Sequence, residues 1–388
     1  MSVYLTATGS FLPGPPIDND AIEARGGFVG GEPSRFRKMV LRNNGIETRH
    51  YALDDEGRQT HLNEELAAIA IERAAAARGI GLGEVGMLAT GTTLPDILAP
   101  GFASMVHGRL GANSDDVGPM ELLSAAGICA AGAAALQHAW SAVATERHDR
   151  AIACGSELGS PMGKPSRWEH EVVAHAQRED TPEGFHYFNA EFLRFMLSDG
   201  AGAALLERTP NPDGLSLRVD WIELTSYAHE LPVCMYMGTS NPNDVRVGNT
   251  WLGVDDPAVA HEEGMLLLRQ NTRVLADNIL RVGQEEAKRL IKKGRIDPKA
   301  GYDWCLPHLS SYFFGPKLEE AMREVGVDIP TERWFTNLKD RGNTGAASIY
   351  VILNEALEKG IFSPGDRILA IVPESGRFIM SFMQFTCV

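Results

Sequence analysis

Cysteine is scarce in this sequence, and its few copies are poorly spaced for metal or disulfide chemistry. The 388 residues contain five cysteines, and no two of them form a Cys-x-x-Cys pair. An odd number of scattered thiols is typical of reduced proteins of the cytosol rather than of disulfide frameworks or zinc sites. We therefore expect no disulfide and no structural metal ion, with free thiols at positions 129, 154, 234, 305 and 387.

Positive charge and long apolar runs are also lacking. The net charge is -15 and the pI is about 5.2. This balance argues against nucleic acid or an anionic membrane as the main partner. No uncharged apolar stretch reaches the ~18 residues that a membrane-spanning helix needs, and the first residues predict a strand without a basic leader. We expect a cytoplasmic protein that is neither secreted nor membrane-spanning.

The sequence is rich, by contrast, in apolar and small residues. Hydrophobic residues make up 44% of the chain, and 40 residues are glycine. A chain of this length and composition can bury a large core, in two domains or in one duplicated domain. Amphipathic helices alternate with short apolar strands, which predicts an α/β fold with a mostly parallel sheet.

An internal repeat indicates one duplicated domain rather than two unrelated ones. Residues 148–159 match residues 365–376 at a constant offset of 217 residues, since Asp149 matches Asp366. At the same offset the long apolar helix after Cys129 falls on the helix after Ala346. The chain therefore resembles one α/β unit used twice, over residues 1–207 and 208–388, with two central buried helices packed together. Two excursions, about residues 159–197 and 225–256, interrupt the units, and we expect the active site between the halves.

Cys129 is the candidate nucleophile. It lies within the small-residue run Ser-Ala-Ala-Gly-Ile-Cys-Ala-Ala-Gly-Ala, residues 124–133, which predicts a strand, a tight turn and a helix. Small neighbours let other backbones approach closely, and the free N–H groups at a helix start favour a thiolate. The simpler interpretation is a small buried core residue, as most free cysteines are.

Two segments of the second half offer partners for this thiol. His308 follows a predicted core strand in a Pro-His step, where α/β folds place ligand-binding side chains. Asn343 stands between a glycine and a run of small residues that opens the repeated helix. Each has a simpler interpretation alone, His308 as a core histidine and Asn343 as a helix cap.

Together these motifs resemble the condensing enzymes of the thiolase superfamily, and most closely their β-ketoacyl-acyl-carrier-protein synthase III branch. Residues 44–52 are similar to the early Gly-Ile-x-x-Arg segment of that family, and residues 197–203 to its Asp-Gly-Ala-Gly strand. The resemblance covers nearly the whole chain. It implies a duplicated five-layered αβαβα fold and a homodimer, in which Leu98 or Ala99 of the apolar loop 93–100 reaches towards the partner's acyl pocket.

The resemblance also implies roles for individual residues. Cys129 would take an acyl group from CoA or an acyl carrier protein, because thioester exchange is nearly isoenergetic and a thiolate is a strong nucleophile. His308 and Asn343 would hold the carbonyl of a second, malonyl-type thioester and stabilise its enolate. Backbone N–H groups of Cys129 and Gly376 would form the oxyanion hole. No metal or redox cofactor is implied. Apart from the resemblance, positive charge is concentrated between residues 33 and 52, which indicates either a solvated helical face or a contact for an anion or phosphate. The cations expected to contact CoA or the carrier are Arg37, Lys38, Arg42 and Arg49.

Departures from the family pattern favour a specialised relative over the housekeeping initiator of fatty-acid synthesis. The usual Pro-His-Gln-Ala-Asn is here Pro-His-Leu-Ser-Ser, so that Ser311 stands where an asparagine is expected. The usual glycine-rich C-terminal turn is Pro-Glu-Ser-Gly, residues 373–376. The N-terminal tryptophan that is thought to stack on the CoA adenine has no counterpart near Arg37 or Lys38.

Three functions remain open from the sequence. The first is a ketosynthase that forms a carbon–carbon bond by Claisen-type condensation in secondary-metabolite or specialised lipid biosynthesis, as in dialkylresorcinol and cyclohexanedione pathways. The second is an acyltransferase that moves the acyl group to an alcohol or amine, with His308 as general base. The third is a non-catalytic partner of another ketosynthase, against which the intact Cys129, His308 and Asn343 set argues.

Overall fold

A computed structural model describes residues 1–168 and 184–388 of the chain, so that part of the first excursion lies outside the described residues. The strands of its first half are β1 Tyr4–Phe11, β2 Ile17–Asp18, β3 Thr48–Arg49, β4 Met87–Thr92, β5 Glu121–Ala126, β6 Arg150–Glu157 and β7 Gly200–Glu207. Those of the second half are β8 Leu217–Ser226, β9 Met235–Tyr236, β10 Arg269–Gln270, β11 Trp304–Pro307, β12 Arg367–Pro373 and β13 Ile379–Cys387.

The described helices follow the same division. Those of the first half are α1 Ile22–Gly26, α2 Arg37–Asn44, α3 Asn63–Arg78, α4 Phe102–Asn113, α5 Ala130–Ala144 and α6 Gly184–Arg194. Those of the second half are α7 Pro257–Glu262, α8 Thr272–Lys292, α9 Gly315–Glu324, α10 Leu338–Arg341 and α11 Ser348–Glu358, the last preceded by a short 3-10 turn, Gly345–Ala347. None of the helices in the described ranges has the length and hydropathy needed to cross a bilayer.

Nine of the strands in the described residues form one mixed sheet whose two ends repeat the same pattern. The order is β11-β12-β13-β8-β1-β7-β6-β4-β5. In the first half β6 is parallel to β4 and antiparallel to β7, and in the second half β12 is parallel to β11 and antiparallel to β13. The halves join through a short antiparallel pairing of β1 with β8, Tyr4 opposite Arg218 and Leu5 opposite Leu217. The strand pattern is that of one unit used twice.

Three of the hydrophobic clusters in the described residues hold the layers of the fold together. The middle core packs α5 and α11 between the strands of both halves. A second core packs α3 and α4 on the outer face of the first half. A third packs α8 and α9 on the outer face of the second half. The predicted αβαβα fold with two central helices is therefore confirmed, although α5 is not buried all round, because His138 and Ser141 face solvent in the single chain.

Small residues are required where the two central helices meet. A Cβ atom added to Gly132 of α5, or to Gly155 of β6, would overlap the carbonyl oxygen of Ala346. Across the same contact the Tyr350 hydroxyl of α11 donates a hydrogen bond to the Gly132 carbonyl, at 2.8 Å. Glycine lets the backbones touch, which explains the small residues on both sides of Cys129.

Asp199, the aspartate of the Asp-Gly-Ala-Gly segment, holds separate stretches of the chain together through hydrogen bonds. Asp199 is buried, and its carboxylate accepts hydrogen bonds from the backbone N–H groups of Ala52, Gly159 and Ser160, at 2.7, 2.7 and 2.8 Å. These bonds link the segment after Arg49 to the loop that follows β6. Asp199 therefore joins three stretches of the first half rather than facing a substrate.

The edge of the sheet in the first half, at strand β5, leads us to predict a dimer. Strand β5 is the last strand of the sheet, so that one side of its backbone is unpaired in the single chain. In the nearby loop, Leu98 is 69% and Ile97 42% exposed. A two-fold dimer joined through this edge would cover both features.

We predict that Ala99→Phe shortens the preferred acyl donor while the protein remains dimeric, because a bulky side chain in this loop would enter the partner's acyl pocket. Sedimentation would give the oligomeric state, and competition among thioesters of different length the preference. A monomer at micromolar concentration would contradict the predicted dimer. An unchanged preference for acyl-chain length would contradict the role of Leu98 and Ala99 in the pocket.

Candidate active site

Cys129 lies immediately before helix α5, after the turn that follows strand β5. The turn brings the thiol to the carboxyl end of the parallel strands β4, β5 and β6, where open sheets bind ligands. Only 6% of the residue is exposed. Burial, together with the carboxylates of Glu157 and Glu374, raises the pKa of the Cys129 thiol above its ordinary value. The helix start, which in the sequence favours a thiolate, is therefore outweighed by desolvation and by two negative charges.

His308 follows strand β11, and its backbone N–H donates to the Ile371 carbonyl of β12, at 2.8 Å. The side chain is buried, and its Nε2 has no hydrogen-bond partner among the described residues. Burial lowers the pKa of the imidazole to about 4. The ring is therefore neutral at physiological pH, with a polar nitrogen that a substrate can satisfy.

Asn343 is held at the start of the second central helix by bonds at both its backbone and its side chain. Its N–H donates to the Met196 carbonyl at 3.0 Å, and its own carbonyl accepts from Ser198 at 2.9 Å. The side-chain Oδ1 accepts from the Gly345 N–H, also at 3.0 Å. The carboxamide N–H₂ group is left as the donor for a bound molecule. Asn343 therefore caps its own loop, as the simpler interpretation expects, and still offers two N–H groups.

Two cavities meet at Cys129. We call the larger cavity 1: it has a volume of about 1100 Å³, part of it open to solvent, and Asn343 lines it. Cavity 2 has a volume of about 690 Å³, and His308 lines it. Cys129, Ser310 and Ser375 line both cavities. The structure thus brings all three predicted catalytic residues to one junction, with the thiol at the centre and one donor in each cavity.

The two cavities extend in different directions from this junction. Cavity 1 runs past Glu157 and the loop after β4 towards helix α6 and Trp168 of the first excursion, with apolar walls such as Leu193, Leu197 and Leu267. Cavity 2 runs into the outer core of the second half, between α8 and α9, with apolar walls such as Leu275, Ile279, Leu318 and Phe382. Mostly apolar walls suit hydrocarbon chains.

The residues that depart from the family pattern have definite positions. Ser311 faces away from the thiol: its hydroxyl donates to the Asn43 carbonyl at 3.1 Å and accepts from the Phe313 N–H at 3.2 Å. Its neighbour Ser310 takes the place beside the junction. In the C-terminal turn, Ser375 lines both cavities, whereas Gly376 lines neither and its carbonyl accepts from Cys234 and Met235. The Gly376 N–H remains only an expectation as an oxyanion donor.

The predicted cations do not form one external patch. Arg49 is fully buried and donates to the Asn19 side chain and the Phe195 carbonyl, so that it supports the fold and is not available to a carrier. Its position corrects that expectation, because the polar partners of its guanidinium lie inside the protein. Arg37 is paired with Asp20 at 2.9 Å. Lys38 and Arg42 are the exposed candidates on α2.

Two glutamates beside the thiol, Glu374 buried and Glu157 half-buried, are absent from the predicted site. Glu157 ends strand β6 and lines cavity 1 together with Cys129. Glu374 follows strand β12, and its carboxylate lies against the backbone N–H of Ile128, at 3.4 Å. The repeat already pairs these residues, since they are 217 positions apart, but a glutamate at a strand end is not recognisable as a site residue without the contacts.

A metal centre finds no support in this geometry: the described residues contain no cluster of three or more histidine, cysteine, aspartate or glutamate side chains placed to hold an ion.

Sequence profiles of two families match the chain. The profile described as "Beta-ketoacyl synthase, N-terminal domain" matches residues 46–211, and the one described as "3-Oxoacyl-[acyl-carrier-protein (ACP)] synthase III C terminal" matches residues 301–381. Together they cover well over half of the chain, and each falls in one of the two repeated halves.

Solved structures share the fold over the full length. A tetronic acid condensing enzyme, AbyA1, superposes with a TM-score of 0.73 at 21% identity, covering 99% of each chain. OleA of Xanthomonas campestris, solved with bound lauric acid and lauroyl-CoA, gives 0.71 at 18% identity, covering 100% of this chain and 99% of OleA. The 3-oxoacyl-(acyl carrier protein) synthase III of Pseudomonas aeruginosa PAO1 gives 0.69 at 18% identity, covering 100% and 98%.

At these identities the structural matches establish the fold, and the sequence profiles establish the family. Taken with the Cys129, His308 and Asn343 junction, they show that the chain belongs to the β-ketoacyl-acyl-carrier-protein synthase III-like condensing enzymes of the thiolase superfamily.

Proposed function

We propose that this condensing enzyme carries an acyl group on Cys129 and joins it to a second acyl thioester by a carbon–carbon bond, in secondary-metabolite or specialised lipid biosynthesis. The observation that carries the proposal is the meeting of two apolar cavities at one thiol. A reaction that joins two acyl chains needs room for both on either side of the bond that forms. A single-chain transfer would leave one cavity without a role.

The first half-reaction is acyl exchange. The Cys129 sulfur attacks the thioester carbonyl, a new carbon–sulfur bond forms, and the old one breaks as the carrier thiol departs with the proton that Cys129 loses. The product is an acyl-enzyme, and its energy is close to that of the starting thioester because one thioester replaces another.

The second half-reaction forms the carbon–carbon bond. The second thioester becomes an enolate, either by losing carbon dioxide or by losing a proton from its α-carbon. Its carbanion attacks the acyl carbon, and the bond between that carbon and the Cys129 sulfur breaks. The departing thiolate takes up a proton, the one lost from the α-carbon or, after loss of carbon dioxide, one from water, which restores the thiol. Negative charge develops on the enolate oxygen, and the N–H groups of neutral His308 and Asn343 can donate to that oxygen where the two cavities meet.

The state of His308 favours condensation over acyl transfer to an alcohol or amine. A general base works best when its pKa lies near the operating pH. Burial lowers the pKa of His308 to about 4, which makes it a weak base but leaves a neutral N–H donor. Acyl transfer to an alcohol or amine would require His308 to act as a general base, whereas condensation requires it to donate a hydrogen bond. A non-catalytic role would leave the junction of the three side chains without a purpose.

The substrates that we propose are acyl-CoA or acyl-carrier-protein thioesters, and the proposed chemistry needs no metal or redox cofactor. OleA has been solved with lauroyl-CoA, and AbyA1 is named as a tetronic acid condensing enzyme. Both names are consistent with a specialised enzyme that handles larger acyl partners. Lys38 and Arg42, exposed on α2, are the proposed contacts for the CoA phosphates or an acidic carrier. We place the enzyme in the cytoplasm and expect it to act as a homodimer.

Acyl loading should require Cys129 alone. We predict that Cys129→Ala abolishes loading, measured as a mass increase of the intact protein after incubation with a panel of acyl thioesters. Cys154→Ala, Cys305→Ala and Cys387→Ala are the matched controls, because these cysteines are buried and line neither cavity. The mass added to the wild-type protein would also identify the donor. Loading on another thiol would contradict the assignment.

Loss of either donor should affect the second half-reaction. We predict that His308→Ala and Asn343→Ala leave acyl loading largely intact and reduce condensation by roughly 10²–10³-fold, as the loss of one oxyanion donor does elsewhere. Loading is measured by intact mass and condensation by product formation. A variant that folds but fails to load would place its residue in the first half-reaction.

Narrowing the cavities one at a time should affect different parts of the product. Ala190 of α6 lines cavity 1, and Ala321 of α9 lines cavity 2. We predict that Ala190→Phe shortens one of the two acyl chains in the product and Ala321→Phe the other, as read from product mass spectra. If both variants shorten the same chain, the two cavities do not hold separate partners. Melting temperatures would control for misfolding.

A further inference from the structure

Glu157 and Glu374 are related by the duplication of the fold, and each contacts the central helix of the other half. They are equivalent in the repeat, and each lies where an inner strand of its half ends, β6 for Glu157 and β12 for Glu374. The Glu157 carboxylate of the first half accepts from the Ala346 N–H, at 3.0 Å, at the start of the second central helix. The Glu374 carboxylate of the second half accepts at the start of the first central helix, from Ile128 at 3.4 Å.

Glu374 is enclosed between the turn that carries the nucleophile and the C-terminal turn to which Glu374 itself belongs. The backbone N–H groups of Ile128, Arg377 and Ala130 lie against its carboxylate. A Cβ atom on Gly376 would lie 2.6 Å from its Oε1, and one on Gly127 would lie 3.3 Å from its Oε2. The side chain is thus clamped between two glycines and against the residues on both sides of Cys129. It is 4% exposed and lines neither cavity.

Glu157 occupies the corresponding position with one difference. Its Oε1 accepts from the Thr93 hydroxyl at 2.6 Å and the Thr93 N–H at 3.1 Å, and it lines cavity 1. Burial raises the pKa of Glu157 to about 7, and burial also raises that of Glu374. Asp199 adds a smaller effect in the same direction on Glu157. The neighbouring His308 is neutral and brings no positive charge to the junction.

A carboxyl group from each half therefore faces the thiol and raises the pKa of Cys129 when it is ionised. Of the charged groups in the described residues, the carboxylates of Glu157 and Glu374 are those that shift the Cys129 pKa, and both raise it. This arrangement is the reverse of the usual activated cysteine, which has a cation or a free helix N-terminus beside it. Here the N–H groups of Ile128 and Ala130 lie against Glu374, and the N–H of Cys129 itself lowers the thiol pKa only as the smallest of the effects on it.

We propose that Glu374 is a positioning residue for Cys129: its carboxylate fixes the turn before α5 by accepting the backbone N–H groups there, and, together with Glu157, it keeps the resting nucleophile as a neutral thiol. The consequence is a nucleophile with low reactivity towards small electrophiles. It would react when a bound thioester supplies a departing thiolate to receive its proton. The inference rests on Cys129 being the nucleophile of the proposed function.

The test is the pH profile of Cys129 alkylation by iodoacetamide, with the modified residue located by peptide mass spectrometry. Glu374→Gln keeps an oxygen that can accept the backbone N–H groups but removes the charge. Loss of a nearby negative charge lowers the thiol pKa, so that more thiolate is present at a given pH. We expect the profile to move towards lower pH, with the rate below the thiol pKa rising about tenfold for a shift of about one unit.

Three further variants separate the charge from the hydrogen bonds. Glu157→Gln should move the profile in the same direction, which keeps the charge effect testable if Glu374→Gln does not fold. Glu374→Ala should show the same shift but slower acyl loading than Glu374→Gln, because the turn loses its acceptor. The matched control is Glu355→Gln, a buried glutamate at the far end of α11 that bonds Asn337, for which the profile should not move.

If the pH profiles of Glu374→Gln and Glu157→Gln superpose on that of the wild type, the two glutamates do not keep Cys129 as a neutral thiol, and that part of the proposal is overturned. Equal loading rates for Glu374→Ala and Glu374→Gln would overturn the positioning role. Because alkylation needs no thioester, the outcome is separable from the proposed function. A shifted profile in a protein that no acyl thioester loads would count against the ketosynthase proposal alone.

Discussion

The approach of the two central helices is the constraint on which the site depends. The carbonyl oxygen of Ala346 lies where a side chain on Gly132 or Gly155 would be, and the Tyr350 hydroxyl closes the contact by donating to the Gly132 carbonyl. Cys129 is three residues before Gly132, and Asn343 is three residues before Ala346. A larger residue at either glycine would separate the helices and, with them, the thiol and the carboxamide. Packing density thus sets the catalytic geometry.

The duplication explains why the site contains paired features that differ in function. Each half offers a glutamate after its inner strand and a central helix whose start the other half's glutamate caps. The position equivalent to Cys129 in the second half is Ala346, whose carbonyl is used for packing. One copy of the unit has therefore kept the nucleophile, and the other has kept the close contact and the adjacent Asn343. His308 is added from strand β11, which occupies in the second half the place of β4 in the first.

The sequence predicts the parts of this structure that depend on local pattern. Helix α3, Asn63–Arg78, and strand β6, Arg150–Glu157, are such parts, because each carries its own periodicity and end signals. Cys129, His308 and Asn343 were recognisable because each combines a reactive side chain with glycine or proline at an element boundary. The repeat was sufficient to predict that the halves meet at these residues.

Properties that depend on the environment of a residue could not be predicted in this way. Arg49 and Arg42 stand in the same basic stretch, yet one is buried against Asn19 and Phe195 and the other is exposed. The helix start beside Cys129 suggested a thiolate, but desolvation and the carboxylates of Glu157 and Glu374 dominate the pKa. Both carboxylates come from strands distant in the sequence, so that their effect exists only after the halves have assembled. Cavity 2 likewise arises from the packing of α8 against α9, which cannot be predicted from the local sequence of either helix.

The charge states around the junction suit one kind of transition state. In the resting protein the thiol is protonated, His308 is neutral and Asn343 is an amide, so that these three groups carry no net charge of their own. An enolate oxygen that gains negative charge beside them would be stabilised by fixed N–H dipoles without displacing a counter-ion. A thiolate held there permanently would repel the same charge. A neutral thiol between two carboxylates is therefore compatible with carbanion chemistry beside it, provided that its proton leaves with the carrier during acylation and the sulfur is masked as a thioester when the enolate forms.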